Sequence, residues 1–449
     1  MESIQLRHTN DLHSHLESWP RVSRYLQGQT TAQTTYKFDI GDAIDRFHPL
    51  TDATMGQANV KLMNQIGYDA VTIGNNEGLG LSHEDLNHLY DHANYPVLLA
   101  NLTELPGNNQ PAWAQPSHIF ETEAGTKVGV IGLTAPYELT YRSVGWNPHD
   151  VETTLDRLLP RLRDQADFVV LLSHLGLPTD RELADKYDLD VIIGAHTHHV
   201  LPQGELKNGT LLAAAGRYGD HVGQIDLVLD DNHQIVTKSA QAIPLTDLPI
   251  EPGDEDKIQA FQDRGIQLEN EHKIVHFDQV QTIADQGRAC LQALKEKSGL
   301  DVAFCSAGLF LQDLPVGENT AEDFLASMPH SIHPMVATLT GNELKDLVAE
   351  LKAKEASLLN QRVKGSGFRG KVFGQVLLSG LTYDDQGQLL YAGQVVQADK
   401  QYKLATLDHY RWVDFFHVLD DSPAEIDLNL LLRELLAKYY QEQALTAGK

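Results

Sequence analysis

Cysteine is nearly absent: Cys290 and Cys305 are the two in 449 residues. So few thiols exclude a disulfide-stapled scaffold and read as reduced, buried side chains. Basic charge is also scarce, with 35 Lys and Arg against 62 Asp and Glu, a formal net charge of −27. Such a chain repels nucleic-acid polymers and anionic membrane surfaces. No apolar run is long enough to span a bilayer, and Met1-Glu2-Ser3-Ile4-Gln5-Leu6 has neither the basic nor the apolar character of an export signal. The expected location is cytoplasmic, with neither a membrane nor a nucleic-acid polymer as partner and the oligomeric state left open. Internal repeats and low-complexity tracts are missing as well. What remains is a chain of two or three ordinary domains, each large enough for its own core.

Chemistry-bearing residues concentrate in five short segments of the first 200 residues: Asp11-Leu12-His13, Gly41-Asp42, Gly74-Asn75-Asn76-Glu77, Ser173-His174 and Gly194-Ala195-His196-Thr197-His198. Each closes an apolar, strand-like run, at 4–6, 36–40, 70–73, 168–172 and 191–193. Converging strand ends can bring distant side chains around one point. A lone histidine at a strand end is more often a polar surface residue, but five such ends together form a candidate cage. Mixed carboxylate, amide and imidazole donors suit manganese, zinc or iron better than calcium.

The segments, extended to His8-Thr9-Asn10-Asp11-Leu12-His13, resemble the calcineurin-like metallophosphoesterases, and among them the 5′-nucleotidase and 2′,3′-cyclic-nucleotide phosphodiesterase branch. The resemblance implies two divalent metal ions (Mn, Zn or Fe). Asp11, His13, Asp42 and His198 would hold one, and Asp42, Asn75, His174 and His196 the other, with Asp42 as the bridging carboxylate. It implies a four-layer αββα sandwich followed by an α+β 5′-nucleotidase-like domain. The expected division is a catalytic domain at 1–245, a linker with a helix at 246–274, and a substrate-binding domain at 275–449. Helices are expected near 255–273, 283–294, 320–326, 341–352 and 427–441, and strands near 301–305, 374–378 and 402–406.

The chain departs from the family pattern in two places. Where the family carries a proton-transferring histidine, this chain has Asn76, whose amide can hydrogen-bond a phosphoryl oxygen but cannot transfer a proton at neutral pH. His15, two residues beyond His13, is the candidate substitute. In the second half, an arginine that contacts substrate in nucleotidases is replaced by an apolar residue, Leu311, within 306–315. Phe373, with Phe415 or Phe416, falls where the family's base-sandwiching aromatics are expected. Arg362, Lys364 and Arg369 lie in a Gly-rich loop that could meet a substrate anion.

The expected function is hydrolysis of phosphoester bonds in small nucleotide-type substrates by a two-metal-activated water. A 2′,3′-cyclic-nucleotide or other nucleotide phosphodiesterase is the alternative enzyme. A metal- and nucleotide-binding protein without turnover is the alternative of another class.

Overall fold

The computed structural model describes residues 1–363, 365, 367–413 and 415–447, so Lys364 lies outside the described residues. The chain folds as two compact units, Met1–Gly265 and Ile266–Lys449. The helix Asp254–Glu271 runs across the division.

Two sheets build the first unit. The seven-stranded sheet runs in the order Ile235–Pro244, His221–Leu229, Glu2–Thr9, Thr34–Asp39, Ala70–Val71, Val97–Leu98, Ala114–Gln115. From Glu2–Thr9 onward the neighbours are parallel, which demands crossover helices such as Trp19–Gln27 and Gln57–Ile66. The six-stranded sheet has the order Glu205–Lys207, Thr210–Ala213, Val191–Gly194, Phe168–His174, Lys127–Thr134, Ser117–Glu121, parallel at its centre.

Alternation along each strand decides what lies between the sheets. Ile4, Leu6, Phe38 and Leu98 of one sheet share a buried cluster with Val128, Val130, Val170 and Ile193 of the other. The opposite face of the six-stranded sheet, with Ile131, Val169, Leu171 and Ile192, packs on Leu155, Leu159 and Leu183 from helices Val151–Arg163 and Leu177–Lys186. On the outer face of the other sheet, buried Arg7 donates to the carbonyls of Tyr25 and Gly28, at the end of the first crossover helix. These layers make the expected αββα order.

In the second unit a five-stranded sheet, Val376–Ser379, Ala303–Ser306, Gln401–Leu407, Pro334–Thr340, Ala424–Ile426, is packed by helices Ile283–Ser298, Gly341–Leu358 and Leu432–Ala447. The last helix starts at Leu432, not at residue 427 as its periodicity suggests. Asp427 Oδ1 accepts the Asn429 N–H in a local turn, and Leu432 N–H goes to Ile332 O, so 427–431 is tied to the sheet instead. Cys290 and Cys305 are free and fully buried, as expected of structural thiols.

The two sheets come into direct contact beside Leu98, where Ala100 N–H donates to Gly132 O at 2.8 Å. A Cβ at Gly132 would stand 2.0 Å from Leu98 O, a backbone atom that cannot turn away. Gly132→Ala is therefore expected to cost about 2–3 kcal/mol. Gly80→Ala, in a helix where a Cβ meets nothing within 4 Å, should cost nothing or stabilise slightly. Urea unfolding midpoints of the two variants check this.

Candidate metal centre

Each of the five motif segments follows the carboxyl end of a parallel strand, and the loops lock onto one another through their backbones. Asp11 N–H donates to Gly41 O, and His13 N–H to Asp42 O. A Cβ on Gly41 would fall 2.3 Å from Gly74 N, and one on Gly74 would fall 2.0 Å from Asp42 Oδ1. Glycine at both positions follows from this close approach. Asp11, His13, Asp42, His196 and His198 all have positive φ, between 47° and 73°. Such backbone persists where the surroundings over-determine it, and it clusters at functional sites.

The clamp is Glu77, 1% exposed. Its carboxylate accepts N–H bonds from Asp42 (2.9 Å), Ile44 (3.1 Å) and Gly74 (2.8 Å). Burial and the nearby Asp42 charge push its carboxyl up, to about 7, and the amide donors oppose them. Sequence reasoning assigned Glu77 no role, although its place in Gly74-Asn75-Asn76-Glu77 was the available signal.

The side chains so placed converge. Asp42 Oδ2 lies 3.6 Å from His13 Nε2 and 3.5 Å from His174 Nε2, while Asp11 Oδ1 lies 3.4 Å from His198 Nε2. Asp11, His13 and His198 form one group able to hold a cation, and Asp11, Asp42 and His174 a second. Asn75 Oδ1 and His174 Nε2 are buried without a hydrogen-bond partner. Orphaned donors and acceptors are costly unless something binds them. In three of the imidazoles one ring nitrogen is engaged away from the cluster: His174 Nδ1 with Ile40 O at 2.7 Å, His196 Nε2 with Tyr137 Oη at 2.9 Å, and His13 Nδ1 with the Asn76 amide at 2.9 Å. Outer partners of this kind fix ring orientation in metal sites. The donor set therefore fits divalent cations.

Two expectations need correction. The Asn76 side chain donates to Ile44 O at 3.1 Å and also bonds His13 and Asn75, so it braces the cage and is not free to act on a substrate. His15 stands beside the cage with its Nδ1 2.5 Å from Glu17 Oε1 and its ring on Tyr218, which in turn contacts His13 and His198. The five substrate-binding candidates all belong to the second unit. Phe373 and Phe416 are fully buried against Phe304 and Tyr410, so apolar packing claims both rings and neither offers a face to a base. Phe415 is half-buried beside them, Arg362 is exposed, and Arg369 is half-buried with its N–H on His330 Nδ1.

Residues 4–200 match the calcineurin-like phosphoesterase family and residues 279–414 the 5′-nucleotidase C-terminal domain. Across nearly its whole length the chain is 35% identical to the uncharacterized metallophosphoesterase YunD of Bacillus subtilis, over 97% of this chain and 98% of that protein. The chain is a calcineurin-like metallophosphoesterase with a 5′-nucleotidase C-terminal domain. It is a hydrolase of phosphoester bonds, from a family that uses divalent metals. Protein UshA of Yersinia enterocolitica is 23% identical over 98% of this chain and 91% of that one. In fold the chain is similar to the NAD nucleotidase of Haemophilus influenzae, with a TM-score of 0.67 at 17% identity over 98% and 96% of the two chains.

Electrostatics of the cage yield a test. Burial disfavours a charged His174, but the Asp42 carboxylate beside it outweighs burial and pushes the imidazole up to about 10. Burial likewise disfavours ionised Asp42, and His174 holds it below the usual carboxylate range. Metal-free protein thus keeps a proton on His174 at neutral pH, which a cation must displace. Manganese added to metal-free protein at pH 7.5 is expected to release about one proton per chain through His174, and His174→Ala should lose it. Calorimetry in buffers of different ionisation enthalpy counts the protons.

Proposed function

We propose that this chain hydrolyses phosphoesters of small, nucleotide-type substrates with two divalent cations, manganese, zinc or iron, in the manner of a 5′-nucleotidase. The observation that carries the reading is the position of Asp42, whose Oδ2 faces His13 and His174 within 3.6 Å on separate arms of the cage. Asp11, His13, Asp42 and His198 would hold one cation, and Asp42, Asn75, His174 and His196 the other. Such a pair supplies charge neutralisation at the phosphoryl oxygens and activation of water.

The chain's own residues do the positioning. Glu77 fixes the Asp42 backbone, Asn76 ties Asp42 to His13 through its N–H on Asp42 Oδ1 (2.7 Å) and its amide, and Tyr137 orients His196. No side chain at position 76 can protonate a leaving group. That favours substrates whose leaving group needs no acid, such as aryl esters or strained 2′,3′-cyclic diesters, over simple alkyl esters. The cyclic-diester reading stays in play on this observation alone.

A screen of nucleoside monophosphates, cyclic nucleotides, dinucleotide sugars and aryl phosphates with manganese tests the reading. Turnover is expected, lost on chelation and restored by the metal. Asp42→Asn should abolish activity and deplete both cations, whereas Asp11→Asn should mainly deplete one. Absent acid catalysis, a contribution on the order of 10²–10⁴ in rate, makes the rate fall steeply as leaving-group pKa rises. Full turnover with two metals in Asp42→Asn, or a flat leaving-group dependence, would contradict the assignment.

A further inference from the structure

An arginine stands at the rim of the cage, beside His198. Arg217 is exposed and, among the described residues, has no carboxylate in ion-pair contact, in a chain with 62 acidic residues. Its place is nonetheless built. The turn between strands Thr210–Ala213 and His221–Leu229 has three left-handed residues, Gly216 (φ 76°), Tyr218 (φ 62°) and Gly219 (φ 71°). Asn10, next to Asp11, clasps that turn through Ala215 N–H to its Oδ1 (3.2 Å) and its Nδ2 to Gly216 O (2.7 Å), while Tyr218 N–H donates to Asp11 O at 2.7 Å. The guanidinium then lies 4.5 Å over the Tyr218 ring, with Nη1 3.3 Å from His198 Nδ1.

This contact is compatible with only one tautomer of His198. A neutral imidazole has one donor nitrogen and one acceptor, and a guanidinium has donors only. When His198 gives Nε2 to a cation, Nδ1 must carry the ring proton, and two donors face each other. A side-chain amide in that position could turn its oxygen toward the ring. Arg217 has no acceptor to turn. An acceptor oxygen between or beside them satisfies both donors, and an anionic one does so most strongly.

We propose that Arg217 binds the substrate's phosphoryl group and selects dianionic phosphomonoesters over monoanionic diesters. The proposal rests on the phosphoester-hydrolase reading and decides between the two substrate types that Asn76 leaves in play. A monoester offers three terminal oxygens and the larger charge, which suits the planar fork of a guanidinium, and the stack on Tyr218 pre-orders that fork.

The test uses manganese-loaded full-length protein as wild type, Arg217→Ala and Arg217→Lys. Inorganic phosphate binding is followed by calorimetry, and turnover by p-nitrophenyl phosphate and bis-p-nitrophenyl phosphate. Arg217→Ala is expected to weaken phosphate binding and raise the monoester KM about tenfold or more, the scale of one charge-assisted hydrogen bond. Diester KM and metal content should stay near wild type, and Arg217→Lys should recover part of the loss. Unchanged phosphate affinity in Arg217→Ala overturns the proposal. So does an equal loss on both esters together with lost metal, which would make Arg217 a brace for His198. A wild type that cleaves neither ester refutes the hydrolase reading, while phosphate calorimetry still decides the role of Arg217.

Discussion

The Glu77 carboxylate, buried under the Gly74 loop, accepts three backbone N–H groups and thereby holds Asp42 at φ 51°. A hydrogen bond to a charged acceptor contributes about 1.5–3 kcal/mol, and a left-handed non-glycine residue costs about 1–3 kcal/mol. Three such bonds exceed the strain of Asp42 with enough left to offset part of the cost of burying Glu77. Most of the cage depends on that balance. With Asp42 in place, His13 and His174 have a shared partner, Asn76 N–H has an acceptor, and the Gly41 and Gly74 loops can touch.

Much of the cage was legible in the sequence because each ligand sits where a strand ends. Continuous apolar runs such as 168–172 announce a buried strand, and a His or Asp at its end is placed by that strand. The αββα layering was legible for the same reason. Tertiary competition for a side chain was not. Phe373 and Phe416 have the right identity for stacking on a base, yet Phe304 and Tyr410 claim them as core, which only packing can reveal. The partners of His15 were not legible either: Glu17, two residues on, meets its Nδ1, and Tyr218, about two hundred residues on, meets its face. Arg217 and Tyr218, between Gly216 and Gly219, carried a turn signal and no chemical one; their relation to His198 comes from a loop closed by Asn10.

Charge bears on which phosphorylated ligands the proposed site would admit. A chain at −27 repels polyanions over its whole surface, so a phosphorylated ligand gains attraction only where cations are concentrated. The proposed cation pair at Asp11 and Asp42, with Arg217 at the rim, would make one such point. Under the proposed function this field would favour small phosphoesters over polymers, whose further phosphates would meet a predominantly acidic protein.

Low-temperature electron paramagnetic resonance of the manganese-loaded protein tests the shared-carboxylate cage most directly. Two ions sharing Asp42 would lie about 3.5–4 Å apart and be exchange-coupled. The account predicts two manganese ions per chain and the broad multiline spectrum of a coupled pair. A single ion per chain, giving the isolated six-line signal of one manganese, would contradict it.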